Sequence, residues 1–350
     1  MQRFLNCLAF LTMFATSRRL PRRLALLAFL LSVPSLLFAW GAWSHQRINR
    51  AAILALPPVM RTFFYNHADF LTEEAVLPDA RKYVINDKAE FTRHFINPEA
   101  YNLGPVAQFP RTWAEAQTRF DAATLEKNGT LPWYIEQMMG KLTRAFKNGR
   151  KDEILFLAGD LGHYLGDAHM PLHTTLNHDG QLTDQRGIHS FFEGQLPEMF
   201  GKDYNFHVRE ARYIDDPLAE TWAIMQRSFA TADTLLRLEK EQQANLTAAS
   251  IYQLDAQGAI RKNQFGDTYH TADYATRYHL ALKHMVERQL RAATVATADY
   301  WYTAWVNAGK PDLGKLDSKT TTRNNQRGLK QELKLIRKGK LVDFYTNPEF

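Results

Sequence analysis

The chain has 350 residues, 45% of them hydrophobic and 23% charged, which is enough to bury a sizeable core in one large domain or two. That balance excludes a disordered, collagen-like or disulfide-framework protein. A formal charge of +6 would ordinarily suggest nucleic acid or a membrane surface as partner, provided the charge belongs to the folded part.

Residues 1–39 hold Arg3, Arg18, Arg19, Arg22 and Arg23 and no acid, and they end in the apolar run LALLAFLLSVPSLLFA. A basic flank, an apolar core and a terminal Ala39 predict a secretory signal peptide, with cleavage before Trp40. The competing reading, a membrane anchor, is weaker because the run contains Pro34 and is short for a span of about 20 residues. Either Met1 or Met13 can serve as the start. Pro21-Arg22 spoils the twin-arginine pattern around Arg18-Arg19. The protein is therefore expected to be exported, periplasmic or secreted. The single cysteine, Cys7, lies in this leader, so the processed chain has neither disulfides nor thiolate chemistry. Any metal must be held by His and carboxylates.

The rest reads as helical. Ser44 is placed to cap a helix running from His45 toward Leu56, stopped by Pro57-Pro58. Pro132 opens a segment with Ile135, Met138, Met139, Leu142 and Phe146 on one stripe. Helices are predicted over 153–167, over 216–238 around Trp222, and as one long element over 271–308, ending at Gly309 and Pro311. The last carries Tyr274, Tyr278, Leu282, Met285 and Ala296, a stripe read as core. Loops are expected over 97–110 and 177–187. Asn128-Gly-Thr and Asn245-Leu-Thr are glycosylation sequons. The fold class is all-α: one multi-helix domain over 40–312, then a basic tail over 313–350 read as a flexible, solvated appendage. The alternative for the tail, with its apolar Leu329, Leu333 and Ile336, is peripheral contact with a membrane surface or a partner. The leader takes five positive charges and the tail holds nine Lys/Arg against four acids, so the body between is mildly acidic.

Five of the twelve histidines (His163, His169, His173, His178, His189) fall within 27 residues, interleaved with Asp167 and Glu193. HYLGDAHMPLH sets His163 and Asp167 four residues apart, on one helical face where both can grip one ion. His173 follows Pro171, which ends the helix and can turn the imidazole toward a neighbouring ion. HSFFE repeats the device with His189 and Glu193. Two such pairs and a third histidine exceed what one tetrahedral zinc needs, which points to a multinuclear site. Ligand type alone suits zinc and also admits manganese or iron.

The start WGAWSH (Trp40 to His45), PDARKY with Asp79, RHFIN with His94, HYLGDAHMPLH and GIHSFFE together resemble the superfamily of zinc-dependent phospholipases C and single-strand-specific nucleases of the P-one and S-one type. The likeness runs in order from Trp40 to about Glu193, and WYTAWVNAGKPDL extends it toward the end of the body. The resemblance implies the all-helical fold of that superfamily around a cleft with three zincs. One zinc would be held by Asp79, His94, His163 and Asp167, and a second by His173, His189 and Glu193. The third would take the free α-amino group and carbonyl of Trp40, with His45 and a bridging Asp167. The other histidines match no ligand position, and His169 is expected beside the site rather than in it. An amine coordinates a metal only when free and deprotonated, so the unprocessed chain is expected to bind less zinc.

Such a centre implies hydrolysis of phosphate diesters by a metal-activated water. Asp79 is the candidate to orient or deprotonate that water, and Asp87 is its competitor. Lys82 stands where the nuclease relatives carry an arginine, with Arg81 adjacent, and either could pair with phosphate; lysine lacks the bidentate fork. Trp43 could hold a cationic head group or stack on a base, or do neither. Phe91, three residues before His94, agrees with the phospholipases. Glu193 and Ser190 in GIHSFFE look phospholipase-like, and the WGAxxH spacing looks nuclease-like. The glycine-rich stretch that nucleases carry before GIHSFFE is replaced by Asp184-Gln-Arg-Gly187. The expectation is a phospholipase C-type enzyme acting on phospholipid. The alternatives are a nuclease or 3′-nucleotidase acting on single-stranded DNA and RNA, and a non-catalytic zinc-dependent lipid- or surface-binding protein. A monomer is expected.

Overall fold

The computed structural model describes residues 41–103, 108–263 and 266–344. The segment expected to be a signal peptide, both candidate start residues and Trp40 lie outside the described residues.

Helix α1 (Gly41–Ala55) is already running at Gly41, so Ser44 is an interior, fully buried residue and not a cap. Pro57 and Pro58 end it as expected and start α2 (Pro58–Asn66), because proline lacks the N–H that a continuing helix needs. Short helices follow: α3 (Ala68–Glu74), α4 (Leu77–Tyr83) and α5 (Lys88–Phe91). Next come α6 (Trp113–Arg119), opened by a Thr112/Glu115 capping box, and α7 (Ala122–Asn128). Helix α8 (Leu131–Lys147) opens with Pro132 in its first turn and buries the whole predicted stripe from Ile135 to Phe146. Helix α9 (Lys151–Ala168) covers the predicted 153–167 element and stops before Pro171, which begins a 3-10 turn (Pro171–Thr174).

The second half holds α10 (Ile188–Ser190), a π-helical turn (Phe191–Gln195) and α11 (Leu196–Phe200). Helix α12 (Pro217–Gln243) is capped by Asp216, whose side chain accepts from Ala219 N. After α13 (Ala248–Ile251) the predicted long helix is two: α14 (Ala272–Ala281) and α15 (Met285–Asn307). The break is at Lys283 and His284, whose φ values of 46° and 64° are left-handed and cannot continue a right-handed helix. The apolar stripe runs across the break without a phase change, which is why periodicity alone reads one element. Tyr274, Tyr278, Leu282, Met285 and Ala296 are all buried. No strand occurs among the described residues; three isolated antiparallel bridges pin the 252–270 loop.

Helix α9 packs between α8 and α15, and α1 lies against both α9 and α15. Trp301 of α15 is wholly buried and donates its indole N–H to the Ala158 carbonyl at 2.9 Å. The close approach of α1 to α9 depends on missing side chains. A Cβ on Gly162 would stand 1.9 Å from Asn49 Oδ1, and one on Gly166 would stand 2.9 Å from His45 Nδ1. Gly166 therefore lets His45 lie on α9 one turn from His163.

The segment after Leu313 is a correction to the flexible-tail reading. Helix α16 (Arg323–Ile336) docks on α2, with Glu332 buried and paired to Arg50 Nη2 at 3.2 Å. Tyr65 Oη donates to Glu332 Oε2 at 2.6 Å. Beyond it Leu341 and Phe344 are buried, and the Leu341 carbonyl accepts from Phe206 N. A polar, basic composition concealed one buried acid with two waiting partners. The sequon at Asn128 is also buried, whereas Asn245 is exposed.

Candidate metal centre

Eight of the nine predicted ligand positions are described, and they converge. Three groups have mutually close ligand atoms, all within 4.8 Å of one another: His45 with His163 and Asp167, Asp79 with His94 and His163, and His173 with His189 and Glu193. These buried His/Asp/Glu groups could hold metal ions.

Asp167 is the hub. Its Oδ2 faces His94 Nδ1 at 2.9 Å and His163 Nε2 at 3.2 Å. Its Oδ1 faces His45 Nε2 at 3.6 Å and His173 Nδ1 at 3.4 Å. One carboxylate thus presents a separate oxygen to each side, as a residue bridging two ions must. The i and i+4 spacing on α9 produces the His163 contact, and the turn after Pro171 brings His173 to the other oxygen. On the far side His189 Nε2 lies 3.2 Å from Glu193 Oε1, again at i and i+4 but through the π-helical turn, a deviation frequent at functional sites.

The donor atoms fit a cation. His163 donates Nδ1–H to the Ala75 carbonyl at 2.8 Å, and His189 donates Nδ1–H to the His178 carbonyl at 2.8 Å. In the neutral tautomer so fixed, each Nε2 carries a lone pair. Those lone pairs point at other histidine nitrogens: His163 Nε2 is 3.1 Å from His94 Nδ1, and His189 Nε2 is 3.2 Å from His173 Nε2. Both nitrogens of His45, Asp79 Oδ2, Asp167 Oδ1, His173 Nδ1 and Glu193 Oε2 are buried with no hydrogen bond. Leaving one such group unpaired costs about 1–3 kcal/mol. A cluster of them is ordered for a ligand.

Titration of the metal-free site follows from that crowding. Burial opposes charge on His163, but Asp167 and Asp79 outweigh it and raise its pKa to about 9. Burial likewise opposes charge on His189, which Glu193 raises to about 9. Burial and the nearby His163 push His45 down to about 3. Burial works against ionisation of Asp167 and Glu193, yet the histidines hold both below the usual carboxylate range. Burial also opposes ionisation of Asp79, and Lys82 with His163 and His94 overcomes it.

Lys82 is buried, with Nζ 3.0 Å from Asp79 Oδ1. It lines a cavity of about 460 Å³ together with Asn86, Asp87, Lys88, Phe91 and Lys127. The two competing residues lie in other contacts. Arg81 points elsewhere, with Nη2 2.6 Å from Asp160 Oδ2 and Nε 3.3 Å from Glu90 Oε2. Asp87 caps α5 by accepting from Ala89 N and Glu90 N, and belongs to no ligand group. Trp43 is in neither the ligand groups nor the cavity wall: its ring packs on Gly201 and Phe206, with Arg47 4.0 Å over its face. His169 is buried, its Nδ1–H donated to the Leu165 carbonyl at 2.8 Å, outside every group as expected.

One supporting residue was missed. Glu90 Oε1 accepts from Tyr164 Oη and lies 3.6 Å from His94 Nε2, so it sets a carboxylate behind the ring that offers Nδ1 to the centre without hydrogen-bonding it. The i and i+4 spacing in EFTRH was its signal, masked because Glu90 falls outside the histidine-rich stretch.

No protein-family model matches the chain, and no curated protein matches it.

Proposed function

We propose that the protein is a zinc-dependent hydrolase of phosphate diesters, of the phospholipase C type. The observation supporting this most strongly is Asp167, one buried carboxylate shared by four histidines, each oxygen serving two of them. Asp79, His94, His163 and Asp167 would hold one zinc, and His173, His189 and Glu193 a second. Trp40, His45 and Asp167 would hold a third in the processed chain. When bound, such ions polarise a phosphoryl oxygen and acidify water.

The chain's own groups supply the rest. Asp79 has one oxygen paired to Lys82 and the other without a hydrogen bond, so Oδ2 is the atom able to orient a water or take its proton. Lys82 keeps Asp79 ionised and sets a positive charge at the cavity wall, where a phosphate would otherwise meet carboxylates. Glu90 sets a negative charge 3.6 Å behind the His94 ring. Phe91, half-exposed on the same wall, offers an apolar face to a substrate group beside the phosphate.

The cavity's Lys82, Lys88 and Lys127 beside Phe91 also suit a nucleic-acid backbone and a stacked base, which supports single-strand nuclease action as the second reading. Zinc-loaded protein beginning at Trp40 should be incubated in parallel with phosphatidylcholine, phosphatidylethanolamine, single-stranded DNA and RNA, with His163→Ala as control. Release of a phosphorylated head group that is lost in the control is the expected result. Cleavage of nucleic acid without any lipid would replace the first reading by the second.

A further inference from the structure

The turn joining α4 to α5 carries Tyr83, Val84 and Ile85, which are 56%, 62% and 71% exposed. Among the described residues no other three consecutive large apolar side chains are so exposed. Scattered exposed apolar residues need no explanation, but a contiguous set does. This one is also held rigidly. Val84 N and Ile85 N both donate to the Ala80 carbonyl, and Asp87 N donates to the Arg81 carbonyl. Asn86 adopts a left-handed φ of 59°, and the Asp87 side chain then caps α5. The backbone is thus pinned at both ends while the side chains project into water. Lys82 and Asn86, which bracket the three residues, both line the cavity of about 460 Å³, as do Lys88 and Phe91.

We infer that the Tyr83-Val84-Ile85 turn is an interfacial anchor that inserts among the acyl chains at a phospholipid bilayer surface and brings the cavity over a head group. This rests on the phospholipase reading and adds how that site would reach its substrate. The chemistry favours a bilayer over other occupants. A lipid surface offers an apolar interior directly beneath a layer of phosphates, and the turn offers apolar tips close to the exposed cation of Lys88. A nucleic acid would use the lysines and Phe91 but would leave Val84 and Ile85, which cannot stack on a base, in water.

The test is co-sedimentation of zinc-loaded protein beginning at Trp40, and of its Val84→Ser/Ile85→Ser variant, with phosphatidylcholine vesicles, with and without phosphatidylglycerol. Neither residue touches the ligand groups. The double variant should therefore unfold at the wild-type temperature and hydrolyse a short-chain phospholipid below its micelle concentration at the wild-type rate. Its vesicle binding should be roughly ten- to a hundredfold weaker. Ile85→Trp, which keeps an interface-seeking side chain at the tip, should bind at least as tightly as wild type. Equal vesicle binding by wild type and the double variant, or no binding by wild type, overturns the inference even if lipid is hydrolysed. So would a concentration-dependent dimer of the wild-type chain that disappears in the double variant without any change on vesicles. Weaker vesicle binding in the double variant, with no lipid hydrolysis by any form, would instead keep the anchor and remove the phospholipase reading.

Discussion

Two buried clusters of carboxylates lie side by side in this protein and solve the same problem in opposite ways. Behind α4, Glu74, Glu90 and Asp160 are buried around Arg81, with Tyr164 donating to Glu90. In the ligand groups, Asp79, Asp167 and Glu193 are buried around histidines. Arginine is a permanent cation with donors in a rigid fork, so Arg81, with Arg93 on Glu90 at 3.0 Å, supplies the first cluster with cations of its own. Histidine offers a lone pair once its other nitrogen is tied to a carbonyl, so the second cluster remains open to an added cation. Glu90 touches both, through Arg81 on one side and His94 on the other. The lesson is that buried negative charge does not mark a metal site; the counter-group does.

The sharpest way to break that contrast is at the hub. Asp167→Asn keeps the size of the side chain but removes the charge shared by four histidines. The variant is expected to retain little metal and to lose about a thousandfold or more in kcat. Metal content and turnover measured on the same preparation check this, and a far-ultraviolet circular dichroism spectrum like the wild type's shows that the fold survives.

Arg81→Ala attacks the closed cluster and should do the reverse. It leaves buried carboxylates without their cation, a change that costs about 3–5 kcal/mol when a buried pair is broken. Thermal unfolding of the metal-free protein should register most of that loss, with metal stoichiometry unchanged in the folded protein. Lost stoichiometry with unchanged stability would merge the two clusters into one functional unit.

The effect confined to a pH window concerns Glu74. Burial, then the neighbouring Asp160, raise its pKa from the ordinary 4.5 to about 8. A carboxyl whose folded-state pKa lies above its unfolded value destabilises the fold as pH rises between the two, because the unfolded chain ionises first. Glu74→Gln should therefore match wild type below about pH 4.5 and become progressively more stable than wild type up to about pH 8. The gain is at most about 1.4 kcal/mol per pH unit in that window. Denaturant unfolding at several pH values measures it, and a gain that shrinks as pH rises would contradict it.

The open cluster was legible in the sequence to a degree the closed one was not. His163 with Asp167 and His189 with Glu193 sit at helical spacings that set each pair on one face, and His173 follows a helix-ending proline in the same stretch. Asp79 and His94 were reached through their motifs, since nothing local ties them to α9. Arg81, Glu90 and Asp160 look like solvated charges in the sequence, and only tertiary packing buries them. The α14–α15 break was hidden because two left-handed residues leave the apolar stripe in phase. The docking of α16 was hidden for a related reason: it turns on Glu332, a charged residue in a basic segment that finds Arg50 and Tyr65 far away in the chain.

The central claim is that the histidine clusters are ordered to receive metal. It is tested most directly by equilibrium dialysis of the protein beginning at Trp40 against zinc, followed by a count of zinc per chain, with the full chain and His163→Ala alongside. The expected result is three zincs per processed chain, fewer on the full chain whose Trp40 nitrogen is an amide, and a loss in His163→Ala. Zinc no more abundant on the processed chain than on His163→Ala would contradict the account.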